Sequence, residues 1–192
     1  MIKSSIVTYL DKELTDKVRE VQKRLYELTG SRACLDLWGP HITVGSGVTI
    51  PDADEADFLK HLSTVAKEFT PFPVTIKDYD FMDNFSAGKT SGAYTPYVIY
   101  LGVVVNPELQ HLAETIEEKV IKGRETYWHQ QWPYNPHITL AFKDLNKEGF
   151  ERAKKLLANK PFAGETTIDH VAIHRQNEKG VFEETDRFSF IG

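Results

Sequence analysis

The tetrapeptide Pro40-His41-Ile42-Thr43 recurs without change as Pro136-His137-Ile138-Thr139, and an apolar residue follows each copy. The two histidines are separated by half the length of the 192-residue chain. Isolated His-x-Thr triplets arise by chance, but the shared proline, isoleucine and apolar neighbour set these two copies apart. The repeat therefore predicts two similar halves, each giving one histidine and one threonine to a shared pocket.

Each motif has the pattern of a strand that begins at its histidine. Side chains alternate along a strand, so the histidine and threonine of each motif share one face. Ile42 and Ile138 then point the other way, into the core. Proline lacks a backbone donor and is suited to the entry of a strand. If the halves pack about a pseudo-two-fold axis, two imidazoles and two hydroxyls meet in one cleft.

These four side chains are sufficient to hydrolyse a phosphodiester without a metal ion. One neutral imidazole can take a proton from water, while a protonated one gives a proton to the leaving oxygen. Threonine hydroxyls can donate hydrogen bonds to the phosphate oxygens as negative charge develops. The pattern leaves open which histidine is the base and which is the acid.

The composition predicts a globular protein of the cytoplasm. Apolar residues make up 41% of the chain and charged residues 27%. No apolar run approaches the roughly 20 residues of a membrane span, and the N-terminal stretch lacks a signal-peptide pattern. The single cysteine, Cys34, fits a reducing compartment. We therefore expect a cytoplasmic monomer that does not bind membranes.

Charge and ligand patterns narrow the choice of partner. A net charge of −5 and a pI of about 5.8 argue against binding along a long duplex nucleic acid, and favour a nucleotide or a short RNA end. There is no cysteine cluster and no His-Glu-x-x-His pattern, so we expect no metal and no other cofactor. His170 and His174 share a face of a predicted strand without a third ligand, and we expect both at the surface.

Hydrophobic periodicity and turn residues predict a similar order of elements in two halves of one domain spanning 1–192, roughly 1–85 and 97–192. The first half contains a strand at about 4–10, a helix at 12–29, the motif strand at 41–48, a helix at 53–69 and a strand at 72–82. The second half contains a strand at about 97–105, a helix at 107–122, the motif strand at 137–143, a helix at 147–159 and strands at 165–176 and 181–190. The connector, about 83–96, is either a solvated linker or a lid that includes Phe85, Lys89 and Tyr94.

The doubled motif resembles those of the two-histidine (2H) phosphoesterase superfamily, which includes 2′-5′ RNA ligase-like proteins and cyclic nucleotide phosphodiesterases. The resemblance implies an α+β fold with two pseudo-symmetric lobes, each an antiparallel sheet flanked by helices, and an active-site cleft between them. By position, His41, Thr43, His137 and Thr139 match the catalytic residues. The implied activity is the metal-independent opening of 2′,3′-cyclic or 1″,2″-cyclic phosphates on nucleotides or RNA ends, or cleavage of 2′-5′ linkages.

The residues around the second motif bear on the subfamily. RNA ligase-like members commonly continue with Leu-Ala-Arg, whereas this chain has Leu140-Ala141-Phe142. The missing arginine argues against 2′-5′ RNA ligation, which stays an alternative. An aromatic residue here, and another at Tyr9 on the first strand, resemble substrate-contacting rings of the cyclic phosphodiesterases.

Aromatic residues just before the motifs are further candidates for substrate contacts. Trp38, Trp132 and Tyr134 are placed to stack a nucleobase, or else to pack in the core. Two other interpretations stay open: a nucleotide-binding module without catalysis, and motifs that serve only as strand starts.

Overall fold

Helices are interspersed among runs of strands in the computed structural model, which describes residues 1–85, 95–130 and 132–191. The strands are β1 (Ile2–Tyr9), β2 (His41–Thr43), β3 (Gly47–Ile50), β4 (Phe72–Met82), β5 (Val98–Val103), β6 (Glu125–Trp128), β7 (His137–Ala141), β8 (Ala163–Ile168), β9 (His170–Gln176) and β10 (Phe182–Ser189). The helices are α1 (Lys12–Thr29), α2 (Ala33–Asp36), α3 (Glu55–Ala66), α4 (Pro107–Thr115), which continues into a π-helical turn at Ile116–Ile121, and α5 (Lys147–Leu157). The predicted α+β class is confirmed.

The strands form two antiparallel sheets. The first has the order β10-β9-β1-β3-β6, with β2 paired beside β3 on the same side of β1, and it curls into a half-barrel. The second has the order β7-β5-β4-β8. Both sheets contain strands from both halves of the sequence, because β6, β9 and β10 join the first sheet and β4 joins the second. The halves are therefore interwoven.

Helix α1 shows how local sequence sets these elements. It begins after Asp11, whose carboxylate accepts a hydrogen bond from the backbone N–H of Leu14 at 2.9 Å. It ends at Gly30, which adopts the left-handed conformation with φ 76°. The predicted bounds of this helix are confirmed, as are those of β4. The buried stripe of α1 consists of Leu14, Val18, Gln22 and Leu25.

Helices from one half of the sequence pack against elements from the other half. Helix α1 contacts α5 and lies against β7 and β8 of the second sheet. The π-helical turn after α4 lies behind the first sheet, where Ile116 approaches Gly45 so closely that a Cβ at position 45 would stand 2.6 Å from its Cγ2. Glycine is therefore required after the first motif. Within the part of the chain that the structure describes, no helix has the length and apolar character needed to cross a membrane.

Three predicted elements differ from the structure. The predicted strand at 41–48 is interrupted after β2, where the N–H of Ser46 donates to the Glu117 carboxylate at 2.5 Å. The predicted strand at 165–176 is two strands, β8 and β9, which join different sheets. Strand β6 lies between the predicted helix at 107–122 and the second motif strand, where the sequence analysis places no element, and it is held by pairing with β3. In all three cases the deciding partner is distant in sequence, so local periodicity does not reveal it.

Two crossed hydrogen bonds join the motif strands to opposite halves of the chain. Gln22 of α1, only 1% exposed, donates its side-chain amide to the carbonyl oxygen of Thr139 at 3.1 Å. Tyr134, from the second half, donates its hydroxyl to the carbonyl oxygen of Thr43 at 2.7 Å. Each motif threonine is thus held through its backbone by a side chain from the other half.

We expect Gln22→Leu to lower the free energy of unfolding by about 1–3 kcal/mol, because the buried carbonyl of Thr139 loses its side-chain donor. Urea denaturation measures this. Gln110→Leu is the matched control, since within the described residues the side chain of Gln110 bonds only to Glu114, in an exposed contact. Its change should stay within about 0.5 kcal/mol. Equal effects of the two substitutions would contradict a special role for Gln22.

Candidate active site

The two motif strands lie side by side, with Cα atoms of β2 and β7 within 8 Å of each other. Their isoleucines, Ile42 and Ile138, are fully buried, while the histidines and threonines are half-buried. The strand pairing is equivalent on both sides: Tyr9 and Val7 of β1 face His41 and Thr43, and Gly102 and Tyr100 of β5 face His137 and Thr139. The predicted face of each motif is confirmed.

The imidazole of each motif histidine bonds to the backbone carbonyl of the residue two positions earlier. Nδ1 of His41 lies 2.8 Å from the carbonyl oxygen of Gly39, and Nδ1 of His137 lies 2.9 Å from that of Asn135. A carbonyl can only accept, so Nδ1 carries the proton in both rings. Nε2 is then the nitrogen that exchanges protons, which is the state that acid–base catalysis requires.

The pKa values of both histidines are below the usual range. Burial lowers the pKa of His41 to about 4, the hydrogen bond to Gly39 acts in the opposite direction, and the nearby His137 lowers it further. Burial also lowers the pKa of His137, opposed by its hydrogen bond to Asn135. The influence of His137 on His41 agrees with the contact between β2 and β7, which brings the two motifs together.

A third histidine belongs to this site, and the sequence analysis placed it wrongly. His170 and His174 are each 4% exposed, so the expectation of surface positions is wrong. The ring centroid of His174 lies 4.7 Å from that of His41. Its only signal in the sequence was the shared face with His170, and its burial depends on β10 and on Phe182, whose ring lies 5.3 Å away.

A tyrosine and a carboxylate that sequence reasoning also missed stand beside the second histidine. The ring of Tyr100 lies 5.1 Å from that of His137, and its hydroxyl donates to Asp80 at 2.9 Å. Burial, together with Asp80, raises the pKa of Tyr100 to about 12, so the phenol stays protonated and remains a donor. An alternating strand pattern gives no indication of such a cross-strand pair.

The aromatic residues predicted to contact substrate are dispersed. Trp38 is half-buried and packs edge-on against Phe182 at 5.9 Å. Tyr134 is only 5% exposed and holds β2 through its hydroxyl, so it packs in the core rather than presenting a free face. Trp132 packs on Tyr134 at 5.9 Å and remains 46% exposed.

The other two predicted contacts lie at the edges of the site. Tyr9 is half-buried, lies edge-on to His41 at 6.4 Å and stacks on His170 at 6.2 Å. Phe142 follows β7 and packs edge-on against Phe85 of the connector at 5.2 Å. The other suggested lid residues, Lys89 and Tyr94, lie outside the described residues.

Other features of the molecule do not define a competing site. Among residues 1–85, 95–130 and 132–191, no three His, Cys, Asp or Glu side chains are grouped as metal ligands. A cavity of about 580 Å³ lies along the π-helical turn, between Glu117, Arg124, His129 and Trp132. Its described lining contains neither motif, so this cavity is separate from the paired histidines and threonines.

Comparisons with known proteins place this geometry in a family. A Bacillus cytotoxicus protein named "putative phosphoesterase" is 29% identical over 96% of this chain and 95% of its own length. A Bacillus pumilus protein of the same name is 25% identical over 97% of this chain and 96% of its own length. The similarity therefore extends over both halves.

Solved structures show the same fold. The protein TT0787 of Thermus thermophilus has a TM-score of 0.69 at 20% identity, covering 98% of this chain and 97% of that one. Escherichia coli LigT, solved with 3′-AMP, has a TM-score of 0.62 at 13% identity, covering 100% and 99%. The structural neighbours of this chain are LigT-like 2H phosphoesterases. The model of the 2′-5′ RNA ligase superfamily matches residues 10–180, and the chain belongs to that superfamily.

Proposed function

We propose that the protein is a metal-independent phosphodiesterase that opens 2′,3′-cyclic or 1″,2″-cyclic phosphates on nucleotides or RNA ends, with cleavage of 2′-5′ linkages as related chemistry. The observation that supports this most directly is the pair of equivalent histidines. Each donates Nδ1–H to a backbone carbonyl and keeps Nε2 for proton exchange. Two such rings in one site match a reaction that needs one proton taken and one proton given.

The proposed catalytic residues are His41, Thr43, His137 and Thr139. Water attacks phosphorus while one Nε2 accepts its proton, and the bond to one ribose oxygen breaks while the other Nε2 protonates that oxygen. The threonine hydroxyls donate to the non-bridging oxygens, where charge increases in the transition state. The product is a phosphomonoester, and the reaction consumes one water.

The proposed substrate class is a nucleotide or a short RNA end. LigT has been solved with 3′-AMP and with NADP⁺, and this chain has the LigT fold. Tyr9, Trp38, Trp132 and Phe142 are the rings we propose for contacts beyond the phosphate, whereas buried Tyr134 supports β2. The net charge of −5 does not favour a long duplex.

The first test is turnover in the presence of EDTA. Purified protein is incubated with 2′,3′-cyclic nucleotides, ADP-ribose 1″,2″-cyclic phosphate, a 2′-5′-linked dinucleotide and a short RNA ending in a cyclic phosphate, and the products are separated by chromatography. Ring opening or 2′-5′ cleavage without metal supports the proposal. Joined RNA ends would indicate ligation instead, and tight nucleotide binding without turnover would indicate a binding module.

We expect His41→Ala and His137→Ala each to reduce kcat/KM by about 10²–10⁴-fold, because each removes one proton-transfer group. Circular dichroism and a thermal melt should show that both variants fold. His61→Ala is the matched control, since His61 is exposed on α3, and it should leave kcat/KM unchanged. Small and equal losses for both motif histidines would exclude the mechanism.

We expect Thr43→Val and Thr139→Val to have smaller effects than loss of either histidine. A hydrogen bond to a charged group contributes about 1.5–3 kcal/mol, which corresponds to roughly 10- to 150-fold in kcat/KM. Valine preserves the shape of the side chain, so the measured loss reports the hydroxyl. A threonine variant as impaired as His41→Ala would require a different role for that hydroxyl.

We expect the pH profile of kcat/KM to be bell-shaped, with its maximum below about pH 6.5. Activity falls at low pH as the base becomes protonated, and at high pH as the acid loses its proton. Burial lowers the pKa of both histidines, to about 4 for His41, so both limbs move toward acid. A single sigmoid would contradict the paired roles.

A further inference from the structure

The two half-sites can be compared strand by strand, because β9, β1 and β2 pair in the same register as β4, β5 and β7. Val7 pairs with Thr43 in one half-site, and Tyr100 pairs with Thr139 at the equivalent position of the other. One strand further out, Ala172 takes the position that Asp80 takes on the other side. On the same strands, His174 pairs with Ser5, and Met82 pairs with Val98 on the other side. His174 and Met82 therefore occupy equivalent positions. The motifs repeat, but their surroundings do not.

On the His41 side, the distinguishing residue is a buried imidazole. The curled first sheet brings His174 to 4.7 Å from His41, at an interplanar angle of 63°. Nε2 of His174 is buried and has no hydrogen-bond partner within the described residues. A ring in this position excludes water from one side of His41 and supplies no negative charge to it. Protonation of His41 is therefore disfavoured.

On the His137 side, the distinguishing pair is Tyr100 and Asp80. Tyr100 contacts His137 and donates its hydroxyl to Asp80, so a carboxylate is linked to this wall of the site. Asp80 is exposed, and water can therefore reach this wall more readily than it reaches His174. Better access of water to this wall favours the protonated form of His137 relative to that of His41.

Resting on the proposed function, we propose that His174 is a positioning residue that makes His41 the proton acceptor and leaves His137 as the proton donor. Nε2 of His41 takes the proton of the attacking water as the new P–O bond forms. The P–O bond to the ribose oxygen breaks, and Nε2 of His137 gives that oxygen its proton. Solvent then removes the proton from His41 and returns one to His137.

The charged and titratable neighbours agree with this assignment. Within the described chain, the groups next to His41 are Tyr9 of β1, His174 of β9 and His137 of β7. Two charge pairs lie farther away, beyond Tyr9. They are Glu184 with Arg187 of β10, and His170 with Asp169. Those around His137 are Tyr100 of β5, His41 of β2, and Asp80 and Lys77 of β4, where Lys77 is exposed and separated from His137 by Gly102. Burial, with a further contribution from His41, lowers the pKa of His174 to about 3, so the ring beside His41 is neutral.

A substrate with a good leaving group separates the two roles. A nucleoside 4-nitrophenyl phosphodiester releases nitrophenolate, which needs no proton from the enzyme. We expect His137→Ala to lose about 10²–10⁴-fold on the cyclic phosphate but less than about tenfold on this ester. We expect His41→Ala to lose about 10²-fold or more on both substrates. The opposite result, in which the nitrophenyl ester restores the activity of His41→Ala but not that of His137→Ala, would overturn the assignment.

The role of His174 is tested with His174→Ser, which removes the ring and leaves room for water beside His41. We expect the acidic limb of kcat/KM to move up by about one pH unit, while the alkaline limb stays within a few tenths. NMR titration of the His41 ring measures the same shift without turnover. His61→Ser is the matched control and should move neither. A lost activity with both limbs unmoved would show that His174 only supports the fold.

The outcomes distinguish this inference from the proposed function. If the wild-type protein opens no phosphodiester, the proposed function fails, and the NMR titration still decides whether His174 keeps His41 neutral. A His41 that titrates near 6.5 in the wild type, or identically in His174→Ser, would overturn the inference even in an active enzyme. A His174→Ser variant that does not fold is replaced by His174→Asn, with the same expected direction.

Discussion

The contact between β2 and β7 depends on two crossed hydrogen bonds, from Gln22 to the carbonyl of Thr139 and from Tyr134 to the carbonyl of Thr43. Both donors are almost fully buried, and each comes from the half of the chain opposite to the strand it holds. A shift of either strand would break a buried hydrogen bond. The relative position of the two imidazoles is therefore built into the core and does not rely on surface contacts.

The alternation of side chains along these strands then separates two tasks. Ile42 and Ile138 are fully buried and anchor the strands, while the histidines and threonines on the other face reach the cleft. The local hydrogen bonds to Gly39 and Asn135 select the ring tautomer on each side. Backbone repetition thus sets the symmetric part of the site, and residues on neighbouring strands make the two sides unequal.

Much of this was accessible from the sequence. The motif faces follow from a period of two, and α1 follows from its capping residues and apolar stripe. The order of most elements followed from hydrophobic periodicity and turn residues, and the superfamily resemblance followed from the doubled motif. The interweaving of the halves did not, because strand pairing over long separations leaves no local pattern. His174 was assigned to the surface for the same reason: its burial depends on β10 and on the curl of the sheet, neither of which is visible near position 174.

The position of β1 has a consequence for how the protein is made. This first strand pairs with β9, which in turn pairs with β10, so the first sheet joins the two ends of the sequence. During synthesis on the ribosome, β1 and β2 emerge long before the strands that complete their sheet. Contacts over such separations are slow to form, and an incomplete sheet exposes an unpaired edge. We therefore expect the two motif strands to reach their final arrangement only after β10 has left the ribosome, in one cooperative step.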